Sequence, residues 1–182
     1  MFGSVNQADN GPMTNKAPLE LGTLKECYVN ELWFEQASVR SGLNEAAAKH
    51  ISDLIDRESV LTKYSLALAL RTGKKLDFGS EPVQSADALV KLRNAVVHFR
   101  PEWFDSQTKH EKLSKLLNGR FASSQFFPDE PIFPRAWATG DFSAWAIRST
   151  VGFLDHFYAE AGLDSPLEKF KSRLEKVSSV LL

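Results

Sequence analysis

Cysteine is almost absent from this chain of 182 residues, in which Cys27 is the only example. A single cysteine excludes an intramolecular disulfide and any cysteine-rich zinc site. The sequence also lacks apolar runs of membrane-spanning length, and its first residues lack the charge-then-apolar pattern of a signal peptide. These absences predict a cytoplasmic protein that does not insert into a membrane.

A charge excess of either sign is missing as well. The chain has 22 Lys and Arg against 23 Asp and Glu, which gives a formal net charge of −1. It therefore lacks the global basic field that many nucleic-acid-binding proteins carry, and any contact with RNA must come from a local patch or cleft. Its 43% hydrophobic and 25% charged residues are typical of a soluble globular domain with a complete core.

Helical periodicity organises most of the sequence. Residues 1–18 mix Gly and Pro with Asn, Gln and Ser and predict a flexible leader, and residues 19–182 predict a single helical domain. Asn44 and Asp141 are predicted N-caps within this domain, and Gly162 is a predicted helix end. Helices are predicted over 19–40, 44–70, 81–99, 106–117, 141–161 and 167–181. The predicted fold class is an all-α helical bundle of about six helices.

Residues 120–137 are the irregular part of the predicted domain. Pro128, Pro131 and Pro134 are so dense there that they prevent a regular helix or strand. The apolar side chains between and before them are Phe121, Phe126, Phe127, Ile132 and Phe133. Burial of these side chains predicts an aromatic and proline-rich strap packed over the bundle. An exposed platform on which unpaired RNA bases stack is the alternative.

The predicted helix 81–99 has apolar residues over most of its surface, and Pro101 prevents it from continuing. Two apolar stripes cover most of its surface, which predicts a buried helix. Arg93 falls within these stripes, where a guanidinium must pair with a carboxylate or face a polar cleft. Asn94 and His98 share the narrow polar face, one helical turn apart. The stripes are Leu89, Leu92, Val96 and Phe99 on one side and Val83, Ala86, Val90 and Val97 on the other.

The pattern Arg93-Asn94-x-x-x-His98 on a buried helix resembles the signature of the HEPN superfamily, which is an Arg, four to six residues and a His. Asn directly after the Arg is the commoner form of that signature. The continuation HFRPEW and the later segment AWAIRSTVGFLDHF are also similar to a family of small stand-alone bacterial HEPN-like proteins. The resemblance covers residues 28–163.

This resemblance implies an α-helical bundle that forms a homodimer and acts as a metal-independent endoribonuclease with a toxin or phage-defence role. The implied partners are RNA, a second copy of the chain, and an antitoxin or another protein, and neither a cofactor nor a bound metal is expected. Other HEPN-like proteins have lost activity and serve as binding or scaffold modules, which is the second hypothesis. A helical structural protein in which Arg93 pairs with Glu102 is the third.

The catalytic residues that the resemblance implies are Arg93, Asn94 and His98, and their chemistry fits cleavage by the RNA's own 2′-hydroxyl. His98 can exchange the proton, because imidazole titrates near the working pH. Arg93 can bind phosphate oxygens in two places, and the Asn94 amide can orient the imidazole or bind phosphate. Arg93 and His98 are about 140° apart around an ideal helix. Two copies facing each other across a dimer axis are therefore expected to complete the site.

The other histidines and a lysine stripe are predicted to be structural. His50 and His110 are expected on the surface and His156 in a partly buried position, because no second ligand recurs at metal spacing. A basic stripe on the helix 106–117 is expected to be a solvated face, with contact to the RNA backbone as the alternative. The stripe consists of Lys109, Lys112 and Lys115.

Overall fold

The described part of the chain is entirely helical apart from turns and loops. A computed structural model describes Val29 and residues 42–55, 57–100 and 108–167. The α-helices are α1 (Glu45–Ile55), α2 (Val60–Thr72), α3 (Glu81–Val97), α4 (Thr108–Leu117) and α5 (Gly140–Ala161), and Ile132–Ala136 forms a short helical turn that is interrupted at Phe133, where the backbone is extended. No β-strand occurs in these residues, which confirms the predicted all-α class. None of the described helices is long and apolar enough to cross a membrane.

Several predicted segments lie outside the described residues. These are the leader 1–18, the first helix 19–40 apart from the buried Val29, and the last helix beyond Leu167. Glu102, the carboxylate considered as a partner of Arg93, also lies outside them. Those expectations stay predictions.

The predicted second helix is wrong in its length, because the structure divides it into α1 and α2. Asn44 caps α1 as predicted, accepting a hydrogen bond from the backbone N–H of Ala47 at 2.8 Å. The helix then stops at Ile55, and the Ser59 hydroxyl accepts from the N–H of Thr62 at 3.2 Å to begin α2. A serine that caps a new helix competes with continuation of the old one, and this local hydrogen bond outweighs the apolar periodicity.

Helix α5 begins one residue earlier than predicted and has a different cap. The Thr139 hydroxyl, and not Asp141, accepts from the N–H of Phe142 at 3.0 Å. Asp141 occupies the first turn, where a carboxylate favours the positive end of the helix dipole. Gly162 ends the helix in the left-handed region, with φ of 62°, as predicted. Arg71 donates from Nε to the carbonyl of Ala161 at 2.6 Å and thereby joins α2 to this helix end.

The core has two parts, and α3 and α5 contribute to both. The first part joins α1, α2, the start of α3 and the C-terminal half of α5, through side chains such as Tyr64 and Phe157. The second joins the middle of α3 to α4, the strap and the start of α5, through Leu92 and Phe142 among others. The start of α3 thus packs near the end of α5, and the middle of α3 packs near the start of α5. The two central helices are therefore antiparallel.

The strap at 120–137 buries only some of its aromatic side chains. Phe133 is buried and Phe121 is half-buried against Phe142 and Trp145. Phe126, however, is 91% exposed and Phe127 is 37% exposed, so the prediction that the strap buries its aromatics is wrong at these two residues. Residues 125–130 form turns and bends, in which the N–H of Phe127 donates to the carbonyl of Ser124 at 3.2 Å, and Phe126 points away from the core there.

Two anchors fix this strap to the helices near the motif. Arg120 donates from Nη1 to the Ser85 hydroxyl at 2.8 Å, and that buried hydroxyl donates to Glu81 at 2.6 Å. The Ser114 hydroxyl of α4 accepts from the N–H of Phe133 at 3.0 Å and lies 3.2 Å from its carbonyl oxygen. Phe133 is therefore held in place from α4, directly beside the C-terminal end of α3.

Candidate functional site

The predicted motif residues lie together at the C-terminal end of α3, where the helix emerges from the core. Leu89 and Leu92 are fully buried, but Val97 and Phe99 are exposed. The helix ends at Val97, two residues earlier than predicted, with His98 as its C-cap. The prediction of a buried helix therefore holds for the first three quarters of α3 and is wrong for its last turn, where Val96 packs against the core but Val97 is exposed.

Arg93 and Asn94 are joined by a hydrogen bond. The guanidinium donates from Nη1 to the side-chain oxygen of Asn94 at 3.0 Å. Arg93 is half-buried, with a buried Nε atom, whereas Asn94 is exposed. The Nε atom of Arg93 is thus enclosed, while Nη1 donates to a side chain at the surface. Both alternatives for Arg93, a carboxylate partner and a polar cleft, stay predictions.

His98 is exposed at the same helix end. Its backbone N–H donates to the carbonyl of Asn94 at 2.9 Å, which closes the last turn of α3 and fixes where the imidazole begins. The oxygen of the Asn94 side chain is engaged by Arg93, so the Asn94 amide nitrogen is the group that can donate to a phosphate or to the imidazole. The structure therefore couples Asn94 to Arg93 and places His98 one helical turn further along.

His110 is a part of this region that sequence reasoning missed. It was predicted on the surface, but it is half-buried between Phe99 and Phe133. Its ring stacks on Phe99 with centroids 5.7 Å apart and planes 15° apart, and it meets the edge or face of Phe133 at 5.0 Å and 73°. The sequence did contain a signal for this burial. His110 is three residues before Leu113, which is four residues before Leu117, so all three lie on one helix face, and both leucines are buried.

The lysines of α4 lie on the opposite, solvent-facing side. Lys109, Lys112 and Lys115 are all exposed, as a solvated basic stripe requires. Lys115 pairs with Glu111 at 2.7 Å, and the ammonium group lowers the pKa of the Glu111 carboxyl through this hydrogen bond and through charge attraction. One of the three lysines is thus partly neutralised, which leaves Lys109 and Lys112 as the stronger candidates for RNA contact.

The remaining candidate residues lie elsewhere. His50 is exposed on α1, as predicted, and His156 is half-buried on α5, also as predicted. Within residues 42–55, 57–100 and 108–167, no group of three or more His, Cys, Asp and Glu side chains could hold a metal ion.

Comparisons with known proteins give no family assignment. The chain matches no protein-family model, no curated protein and no solved structure.

Proposed function

We propose that this protein is a HEPN-like, metal-independent endoribonuclease that works as a homodimer. The observation that carries the proposal is the geometry at the end of α3. Arg93 has an enclosed Nε atom and donates to Asn94, and His98 is exposed one turn away. A cation and an accessible imidazole are the groups that phosphodiester cleavage by a 2′-hydroxyl requires, and a second copy would bring the two together.

The proposed reaction uses only these side chains and the RNA. A neutral His98 accepts the proton of the 2′-hydroxyl as the 2′-oxygen attacks the adjacent phosphorus. The bond from phosphorus to the 5′-oxygen breaks, and a protonated His98 of the second copy donates a proton to that leaving oxygen. Arg93 binds the non-bridging oxygens, on which negative charge increases in the transition state. The products are a 2′,3′-cyclic phosphate and a free 5′-hydroxyl.

RNA cleavage in the presence of EDTA tests this proposal. We expect the purified protein to cut RNA equally well with and without EDTA, because the proposed groups are all side chains of the protein. The 3′ ends should carry a 2′,3′-cyclic phosphate, read by mass spectrometry, and 2′-O-methyl RNA of the same sequence should stay intact. Activity that disappears on chelation and returns with a divalent ion would show a different mechanism.

Assembly is a second expectation of the proposal. Val97 is an exposed apolar residue on the last turn of α3, and the angular separation of Arg93 and His98 calls for a second copy. Light scattering at micromolar concentration should give about 41 kDa, twice the 20.4 kDa of one chain. Val97→Asp should lower the mass and the cleavage rate together, whereas Leu54→Asp, at an exposed apolar residue of α1, should change neither. A wild-type monomer would rule out the composite site.

A non-catalytic binding or scaffold module is the second candidate function. The net charge of −1 and the exposed Phe126 favour it, because both suit contact with a protein, such as an antitoxin, better than contact with RNA. A dimer that cuts no RNA under any of these conditions would support this alternative. The toxin or phage-defence role belongs to the ribonuclease proposal and depends on the same cleavage assay.

A further inference from the structure

Phe99 is a partly exposed aromatic residue, and one side of its ring packs against other aromatic rings. It follows His98 directly and is 48% exposed. The His110 ring lies nearly parallel to it, and the Phe133 ring approaches at 6.1 Å with a tilt of 59°. Phe133 is in turn held by the Ser114 hydroxyl of α4. Contacts with α4 and with the strap therefore hold the Phe99 ring in one orientation, so a ligand that binds to it does not have to restrict its motion.

Two exposed cations are chain neighbours of this stacked pair. Arg100 follows Phe99, Lys109 precedes His110, and both side chains are exposed. Arg93 lies in the C-terminal part of α3, before Phe99. A chain with a net charge of −1 thus has basic residues close in sequence to an exposed aromatic ring. Aromatic rings that hold bases, flanked by cations that hold phosphates, are the recurring elements of single-strand recognition.

We propose that Phe99, backed by His110, is a stacking subsite for an unpaired nucleobase next to the phosphate that is cleaved. This inference rests on the proposed ribonuclease function and adds the substrate class to it. A base that stacks on Phe99 must leave its own helix, so the preferred substrate is single-stranded RNA or a loop. Every base has a flat face, so the subsite selects unpaired RNA without selecting one sequence.

Binding of an uncleavable oligonucleotide tests the subsite apart from catalysis. The probe is a single-stranded 2′-O-methyl RNA with one 2-aminopurine, whose fluorescence falls when the base stacks. Phe99→Leu keeps an apolar side chain against His110 and removes the ring, and it should weaken binding about tenfold, the size expected for one lost base stack. Phe99→Trp should keep both the affinity and the fluorescence quenching. Phe99→Leu should not weaken binding further when the oligonucleotide has an abasic residue at the stacking position.

Phe78 supplies the matched control. It is 54% exposed and lies before the start of α3, at the opposite end of the helix from Phe99. Phe78→Leu makes the same chemical change and should leave the affinity for the oligonucleotide unaltered.

Three results would overturn the inference. Equal affinities of wild type and Phe99→Leu, with RNA cleavage by wild type intact, would remove the subsite and leave the ribonuclease standing. A fall of the Phe99→Leu mass from dimer to monomer would assign Phe99 to the contact between copies. A wild-type protein that neither binds single-stranded RNA nor cuts RNA would remove both the subsite and the proposed function.

Discussion

Replacement of His98 by alanine is expected to reduce RNA cleavage by about two to four orders of magnitude, the usual contribution of a general acid or base. The fold should be unaffected, because the His98 side chain is exposed and only its backbone N–H helps to close α3. Surface substitutions of this kind usually change the free energy of unfolding by less than about 0.5 kcal/mol. Thermal melts and cleavage rates on the same preparations measure both quantities.

His50→Ala is the matched control for this experiment. His50 is also exposed, but it lies on α1, away from the end of α3. This variant should cut RNA at the wild-type rate. Activity that is retained here and lost in His98→Ala, prepared in the same way, would show that it does not come from a contaminating nuclease. Full activity in His98→Ala would contradict the assignment of the imidazole, whatever the fold of that variant.

Helix identity was predictable from the sequence where apolar periodicity and capping residues agree. Asn44 and Gly162 mark helix ends in both the sequence and the structure. The division between α1 and α2 could not be read from periodicity, because Ile55 and Val60 are both buried and continue one apolar pattern across the break. The hydrogen bond of the Ser59 hydroxyl begins α2 and so marks this division. In the sequence, however, a serine in such a segment is equally compatible with a helix cap and with a solvent-facing position inside a helix.

Only those features of the candidate site that depend on α3 alone could be predicted from the sequence. The sequence placed His98 on a polar face at a helix end, which the structure shows as an exposed C-cap. The contact between Phe99, which follows α3, and His110 of α4 joins two positions that are eleven residues apart in the chain, and helical projection gives no information about such a pair. The exposure of Val97 and Phe99 was missed for the same reason, because burial of these residues depends on how far the neighbouring elements cover them.

The strap shows a similar limit. Its prolines correctly predicted an irregular backbone, but burial of its aromatics depends on individual long-range anchors. Phe133 is held at the core by the Ser114 hydroxyl, whereas Phe126 lies in a turn in which the N–H of Phe127 donates to the carbonyl of Ser124. The long-range contact with Ser114 does not follow from local sequence, so equal hydrophobicity leads to opposite burial within eight residues of chain.

Arg93→Ala is expected to abolish cleavage, because the variant lacks the guanidinium that binds the phosphate. If phosphate binding is the main role of Arg93, the stability loss should be about 0.5–1.5 kcal/mol, the size expected for a hydrogen bond such as the one to Asn94. Arg93→Lys should also lose most activity, because an ammonium group keeps the charge but cannot bind two phosphate oxygens at once. Asn94→Ala should reduce cleavage less than either variant, since it removes one contact of the guanidinium and leaves the guanidinium in place.

The stability of Arg93→Ala separates the ribonuclease from the structural hypothesis. If Arg93 serves to neutralise a buried carboxylate, its truncation leaves that charge unpaired and costs about 3–5 kcal/mol. Glu102→Gln then identifies the partner, because removing the charge from Glu102 should produce a similar loss in an ion-paired structure and almost none in a phosphate-binding one. Cleavage that is lost in Arg93→Ala, together with small changes in the free energy of unfolding for both variants, supports the phosphate-binding role. Large stability losses in both variants, together with a wild-type protein that cuts no RNA, would make the pair of Arg93 and Glu102 a structural feature of α3.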